Sequence, residues 1–291
     1  MSGLEHPERV VVPGAAPAVA PDRPWRALWA LPVALAAIVA GGIASVIAIA
    51  VRNALTTPPV HEPGTVGVAL HGIPPVVTFV GTLAQDLALV AGAVFVAANA
   101  LRGRVTAAHL GLREVARPWR ATGLVVGGYV LFIVLSAAWT AGLGITAHEN
   151  IAVELGTGDS LAALVGAALL TCVVAPVCEE LFFRGFLFGA LRRHGVIVAT
   201  LITGLAFGAA HVASAPIAFI VPLAALGMIL CLIYERTRSL YPCMALHALN
   251  NSIAFGVGDG RGWLVPVCLA GAAACVGLLA RAAGPGPQPQ T

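Results

Sequence analysis

Eight stretches of predominantly apolar residues divide this chain, each close to or above the roughly 18 residues a helix needs to cross a hydrocarbon layer about 30 Å thick. They cover 28–51, 76–101, 121–145, 161 to about 190, 196–213, 216–234, 240–256 and 263–280. A backbone in lipid must satisfy its own N–H and C=O groups, which makes each run a helix. Of the 291 residues 59% are hydrophobic and 10% charged, against about 25% charged in a soluble domain. A water-soluble globule, a disordered chain and a collagen-like repeat are all excluded. The expected fold is all-α: a polytopic integral membrane bundle of about eight transmembrane helices.

Charge placement sets the expected topology, because cytoplasmic loops collect the basic residues. All 16 basic residues are Arg, which argues for a GC-rich coding sequence. With eight spans and a cytoplasmic amino terminus, only Arg52 and Arg261 fall on the far side. Both termini are therefore expected in the cytoplasm. Residues 1–26, rich in Pro, Ala and Val without a sustained period, read as a flexible tail. Residues 27–281 read as the membrane domain, with its polar motifs between 160 and 260, and 282–291 as a second tail. The first run exceeds a signal-peptide h-region and is expected to stay as a span. A net charge of +3 with scattered Arg supplies no basic face, so nucleic acid is not an expected partner. The six cysteines sit in apolar runs without C-x-x-C spacing and read as small buried side chains.

Ionisable residues inside a span cost at least about 2.5–3.5 kcal/mol each on insertion scales, which makes every one a candidate for function. The fourth run carries Glu179, Glu180 and Arg184. On a helix Glu180 and Arg184 share a face and pair, while Glu179 points about 100° away. The second carboxylate is left over, and apolar surroundings are the setting in which a carboxyl group serves as a general base near neutrality. A salt bridge at a helix end is the plainer alternative. The fifth run carries Phe207 and His211; the seventh carries His247, Asn250 and Asn251, with His247 and Asn251 on one face. A buried structural His and hydrogen-bond glue between helices are the plainer readings there. At 1.5 Å per residue from the Arg flanks, Glu179, His211 and His247 lie about 20, 25 and 14 Å deep. That common depth near the bilayer centre points to one shared site. Gln85-Asp86 in the second run is left open between support for that site and an unrelated helix contact.

Other motifs lead nowhere. Gly256-Val257-Gly258-Asp259 lacks the second Asp of an aspartyl dyad. His61-Glu62 and His148-Glu149 lack the following His of H-E-x-x-H, and there is no G-x-S-x-G elbow.

Taken in order, Glu179-Glu180 with Arg184, Phe207 with His211, and His247 with Asn251 fit E-E-x-x-x-R, F-x-x-x-H and H-x-x-x-N. This set resembles the CPBP intramembrane proteases, named for CAAX processing and bacteriocin processing and also called the Abi family. The resemblance covers about residues 160–260. It implies a membrane endopeptidase in which Glu179, helped by His211, activates a water, and His247 with Asn251 stabilises the oxyanion, while Glu180 and Arg184 orient the site. The implied partners are the lipid bilayer and a membrane-associated peptide or protein substrate.

Cofactor use stays open. Two His and one Glu match the ligand count of a catalytic zinc site, so Glu179, His211 and His247 could hold a divalent metal; a metal-free glutamate mechanism explains the same residues, and Asn251 beside His247 suits it better. The rival from another class is a proton-coupled transporter that uses Glu179, His211, His247 and Asp86 at the midplane. Its usual internal repeat is not evident here, and the intact Glu and His residues argue against a non-catalytic scaffold.

Overall fold

A computed structural model of the chain describes residues 25–55, 75–102, 105–145, 160–212, 215–258 and 260–283. Among these residues every regular element is helical. The long helices are α1 (Ala30–Leu55), α2 (Pro75–Leu101), α3 (Pro118–Gly142), α4 (Leu161–His194), α5 (Val196–Ala210), α6 (Ile220–Thr237), α7 (Tyr241–Gly258) and α8 (Leu264–Ala283). Six of them, α1 to α4, α6 with its 3-10 lead-in, and α8, are long and apolar enough to cross a membrane. The chain is a multi-pass membrane protein.

Two of the eight apolar runs are not among the helices long and apolar enough to cross a membrane, and a third is irregular. The fifth, expected over 196–213, ends at Ala210, and its 15 residues reach only about 22 Å. The seventh, α7, is diluted by its His, two Asn and a Ser. The fourth runs past 190 to His194 and is not uniformly α-helical: π-helical stretches occupy Leu170–Val174 and Leu181–Phe188. Residues 1–24 and 284–291, His61-Glu62, His148-Glu149 and Asp259 lie outside the described residues. At the end of the expected tail, Trp25 is buried, stacked on Phe186 at 5.6 Å, and its indole N–H donates to the Phe186 carbonyl at 3.1 Å.

The bundle turns apolar side chains outward and polar ones inward. Leu31, Leu35, Ile38, Ile43 and Ile47 of α1 are exposed, as are Val126, Val130, Leu131 and Val134 of α3, whereas Asp86, Glu180, Arg184, Thr203, His247 and Ser252 are buried. This is the pattern of a solute in lipid, where apolar surface gains nothing by hiding and polar groups must find each other.

Close approach of α5 and α6 depends on glycine. A methyl group placed on Gly208 would lie 2.7 Å from the Ile220 carbonyl oxygen and 2.8 Å from the Ala224 Cβ, and one on Gly227 would lie 3.0 Å from the Gly204 Cα. Gly204 and Gly208 are four residues apart, so they form one smooth strip along α5, and Gly227 of α6 sits against it. Between α4 and α5 the chain reverses at Gly195, whose φ of 100° is open to glycine and strained for other residues.

Three connections meet at one end of the bundle. Arg192, at the end of α4, donates from Nε and Nη2 to the two Glu235 carboxylate oxygens at 2.8 and 2.6 Å, and Arg238 donates to the same Glu235 at 2.9 Å. Ser239 donates its hydroxyl to the Arg113 carbonyl at 2.6 Å, and the Leu240 amide donates to the Gly111 carbonyl at 3.0 Å. These are connections that the Arg distribution assigns to a single side.

Gly208→Ala is expected to lower the stability of the purified protein by about 1–3 kcal/mol, the usual cost of overpacking. Gly123→Ala, whose added methyl meets nothing within 4 Å, is the matched control and should leave the melting temperature in detergent unchanged.

Candidate active site

The site is built on α4. Ser160 caps the helix, accepting the Ala163 amide at 3.1 Å. After an α-helical start at Leu161–Leu169, the first π stretch is followed by an α-helical segment, Ala175–Glu180, and then by the second π stretch. Such widened turns are rare, and at functional sites they re-aim side chains and leave backbone groups without their ordinary partners. The two glutamates end the α-helical segment between them.

Glu180 and Arg184 are fully buried and His247 is 2% exposed. Arg184 Nη1 donates to Glu180 Oε1 at 2.8 Å, and Nη2 donates to the Gly227 carbonyl of α6 at 3.0 Å. The guanidinium carbon stands 4.6 Å over the ring of Phe207, a cation–π contact strengthened by burial. Glu180 Oε1 also receives His247 Nδ1 at 2.9 Å. An ionised carboxylate only accepts, so His247 Nδ1 carries the proton of this bond. The pairing of Glu180 with Arg184 agrees with the sequence; the extension to His247 does not follow from spacing, because the partners are 67 residues apart.

Glu179 faces the other way, as the 100° offset requires. Its Oε2 lies 3.8 Å from His211 Nε2 and 3.9 Å from His247 Nε2. Glu179 and His211 side chains are 16% and 22% exposed, which opens this face while its neighbour Glu180 stays shut in. His211 directs Nδ1 to the Phe207 carbonyl at 2.8 Å. A carbonyl accepts, so here too Nδ1 is the donor. Each imidazole is therefore anchored through Nδ1 and presents Nε2 to one carboxylate oxygen. Phe207 separates them, with ring centroids 4.8 Å from His211 and 5.4 Å from His247.

Asn251, one turn beyond His247, donates Nδ2 to the Thr171 carbonyl of α4 at 2.9 Å, and Asn250 Nδ2 donates to Asn251 Oδ1 at 3.3 Å. One of the two amide hydrogens of Asn251 is thus used within the protein. Asp86 on α2 is 3% exposed, within electrostatic reach of Glu179, and its Oδ2 has no hydrogen-bond partner. The structure brings the three polar-bearing helices together around Glu179. Thr171 and Gly227 contribute through backbone carbonyls, which residue type does not signal, and Trp25 was hidden in an apparently featureless segment.

A resident metal finds no ready cage. Among the described residues no three His, Cys, Asp or Glu side chains are grouped to hold an ion. The Glu179–imidazole separations also exceed the roughly 3.3 Å that ligands about 2.0–2.1 Å from a tetrahedral ion would show.

Residues 161–253 match the family described as "Type II CAAX prenyl endopeptidase Rce1-like". This segment contains Glu179, Glu180, Arg184, Phe207, His211, His247, Asn250 and Asn251. Over 95 residues, 32% of this chain, the sequence is 27% identical to "Putative membrane peptidase YdiL" of Bacillus subtilis (strain 168). The matched region spans 38% of that relative's length. No solved structure matches the chain.

Replacing Arg184 by Ala strands Glu180 in the core, which is expected to cost about 3–5 kcal/mol. Arg184→Lys keeps the charge but not the fork that reaches both Glu180 and Gly227, and should fall between wild type and Ala. Thermal unfolding of the three proteins in one detergent checks the order.

Proposed function

The matches of the motif-bearing segment support the CPBP/CAAX protease family, and from that premise we propose that the chain is an intramembrane endopeptidase of CAAX type, with Glu179 as the base. One observation carries the reading: a single carboxylate oxygen faces two imidazole Nε2 atoms at 3.8 and 3.9 Å, and each ring is held from behind through its Nδ1. Those gaps are too long for direct hydrogen bonds, and the proposal places a water beside Glu179 Oε2 within reach of the imidazoles.

In this reading the water donates one proton toward Glu179 Oε2, and its second hydrogen is held by His211 Nε2. As the water oxygen adds to the scissile carbonyl carbon, its proton passes to Glu179 and the carbonyl π electrons move onto the oxygen. His247, acting as the imidazolium with Nδ1–H on Glu180, donates Nε2–H to that oxyanion, and the remaining amide hydrogen of Asn251 is a second donor. Collapse of the tetrahedral intermediate breaks the C–N bond, and Glu179 returns the proton to the leaving amine. Glu180 behind His247 has the role of the orienting carboxylate in a catalytic triad.

The reaction is proposed as metal-free on the donor geometry above. The substrate class is a membrane-embedded or membrane-anchored protein segment, and the prenylated terminus named in the matched family's description is the first to assay. The transporter reading finds no support in these matches.

With purified full-length protein and a prenylated or transmembrane peptide, Glu179→Gln is expected to lower kcat/KM by roughly 100- to 10,000-fold, and His247→Ala by roughly 100- to 1,000-fold. Excess chelator should leave the wild-type rate unchanged. Loss with chelator and recovery with zinc would overturn the metal-free form; wild-type cleavage by Glu179→Gln would overturn the site.

A further inference from the structure

The bond from Asn251 to Thr171 uses a carbonyl that a regular helix would not offer. In an α-helix the Thr171 oxygen receives the amide of residue 175, and in a π-helix that of residue 176. Here the Ala175 amide reaches back five residues to Leu170. Residue 176 is proline, second in the α-helical segment that follows, and has no N–H. Both intrahelical donors are therefore denied to Thr171. Its carbonyl is buried with the residue, which is 8% exposed, and a buried carbonyl without a donor costs about 1–3 kcal/mol. Asn251, 80 residues away on α7, supplies the donor at 2.9 Å.

We infer that Pro176 is a positioning residue: by withholding an amide while the helix runs in π register, it leaves the Thr171 carbonyl as a latch for Asn251, and the latch fixes α7 against α4. The geometry makes this consequential. Pro176 lies three residues before Glu179, and Asn251 lies one turn after His247. The middle of α7 is tied to α4 at two points, through Glu180 and His247 and through Thr171 and Asn251. Two attachments about one turn apart define the rotation of α7 about its axis, which a single attachment leaves free. The rotation sets where His247 Nε2 and the second amide hydrogen of Asn251 point. In the second π stretch the Phe186 carbonyl likewise takes a distant donor, the indole N–H of Trp25, 161 residues away.

The consequence for catalysis rests on the peptidase reading above; the consequence for stability does not. The test is a double-mutant cycle of Pro176→Ala and Asn251→Ala in the full-length protein, read by melting temperature in detergent and by peptide cleavage. In the wild-type background Asn251→Ala should lower Tm by a few degrees, because it orphans the Thr171 carbonyl. In the Pro176→Ala background the new amide at 176 takes that carbonyl in π register, and the Asn251→Ala loss should shrink to less than half. The effect of proline on the unfolded chain is common to both backgrounds and cancels in the cycle. Pro176→Ser restores the same N–H and should give the same coupling, which covers the case in which the Ala variant folds poorly.

On cleavage, Pro176→Ala should lower kcat about tenfold with KM unchanged, the size of effect expected from loss of a supporting contact. Equal Tm losses in the two backgrounds would overturn the latch. If the coupling appears while the wild type cuts no peptide, the latch stands and the peptidase reading falls. If the wild type cuts but the losses in Tm are additive, the peptidase reading stands and the latch falls.

Discussion

A guanidinium buried to 0% exposure between helices is the constraint on which this architecture depends. Removing Arg184 from water costs several kcal/mol, which the surroundings offset only by saturating it. Glu180 supplies the countercharge, the Gly227 carbonyl a second acceptor and Phe207 the aromatic face. Each partner lies on a specific helix, so α4, α5 and α6 have one arrangement that satisfies the charge. Gly204, Gly208 and Gly227 then follow: α5 must come close enough to α6 for Phe207 and the Gly227 carbonyl to address the same guanidinium. Since Glu180 Oε1 is shared with His247, the same charge also fixes α7.

The groups proposed to react gather at the other glutamate of α4, which points away from Arg184. Glu179 is adjacent to Glu180 in sequence, yet the helix rotation places one in the closed core and the other, partly exposed, beside His211 and His247. His247 belongs to both sides, with Nδ1 on the structural carboxylate and Nε2 toward the proposed catalytic one. This division of two neighbouring carboxylates, one neutralised and one available, is a physical reason for the pair to be adjacent. The π stretches on either side of them supply carbonyls that tie α4 to Asn251 and to Trp25.

Much of this was legible in the sequence because lipid enforces simple rules. Apolar runs became helices, and the ionisable residues that lipid would exclude converged, since each had to find a polar partner. Spacing of four fixed the Glu180–Arg184 pair. What escaped has causes in residue identity and context. Trp25 sits beside charged residues and Pro, and only its partner on α4 reveals why it is buried. The Leu170–Val174 and Leu181–Phe188 stretches are as apolar as any α-helix, so nothing in their composition announces a π register. The link from Glu180 to His247 and the carbonyls of Thr171 and Gly227 are tertiary facts without a side-chain signature. The four-residue spacing of Gly204 and Gly208 carries a packing signal, and it accounts for the close approach of α5 to α6.

The central claim is that the buried Arg184–Glu180–His247 network aims His247 at the reacting groups. It is tested most directly by the steady-state kinetics of Glu180→Gln with a membrane peptide substrate. Gln keeps the shape and an oxygen for Arg184 but removes the charge that supports an imidazolium at His247. The account predicts a fall in kcat of roughly 10- to 100-fold with KM nearly unchanged, in a protein that remains folded. A Glu180→Gln protein that cleaves at the wild-type rate would contradict it.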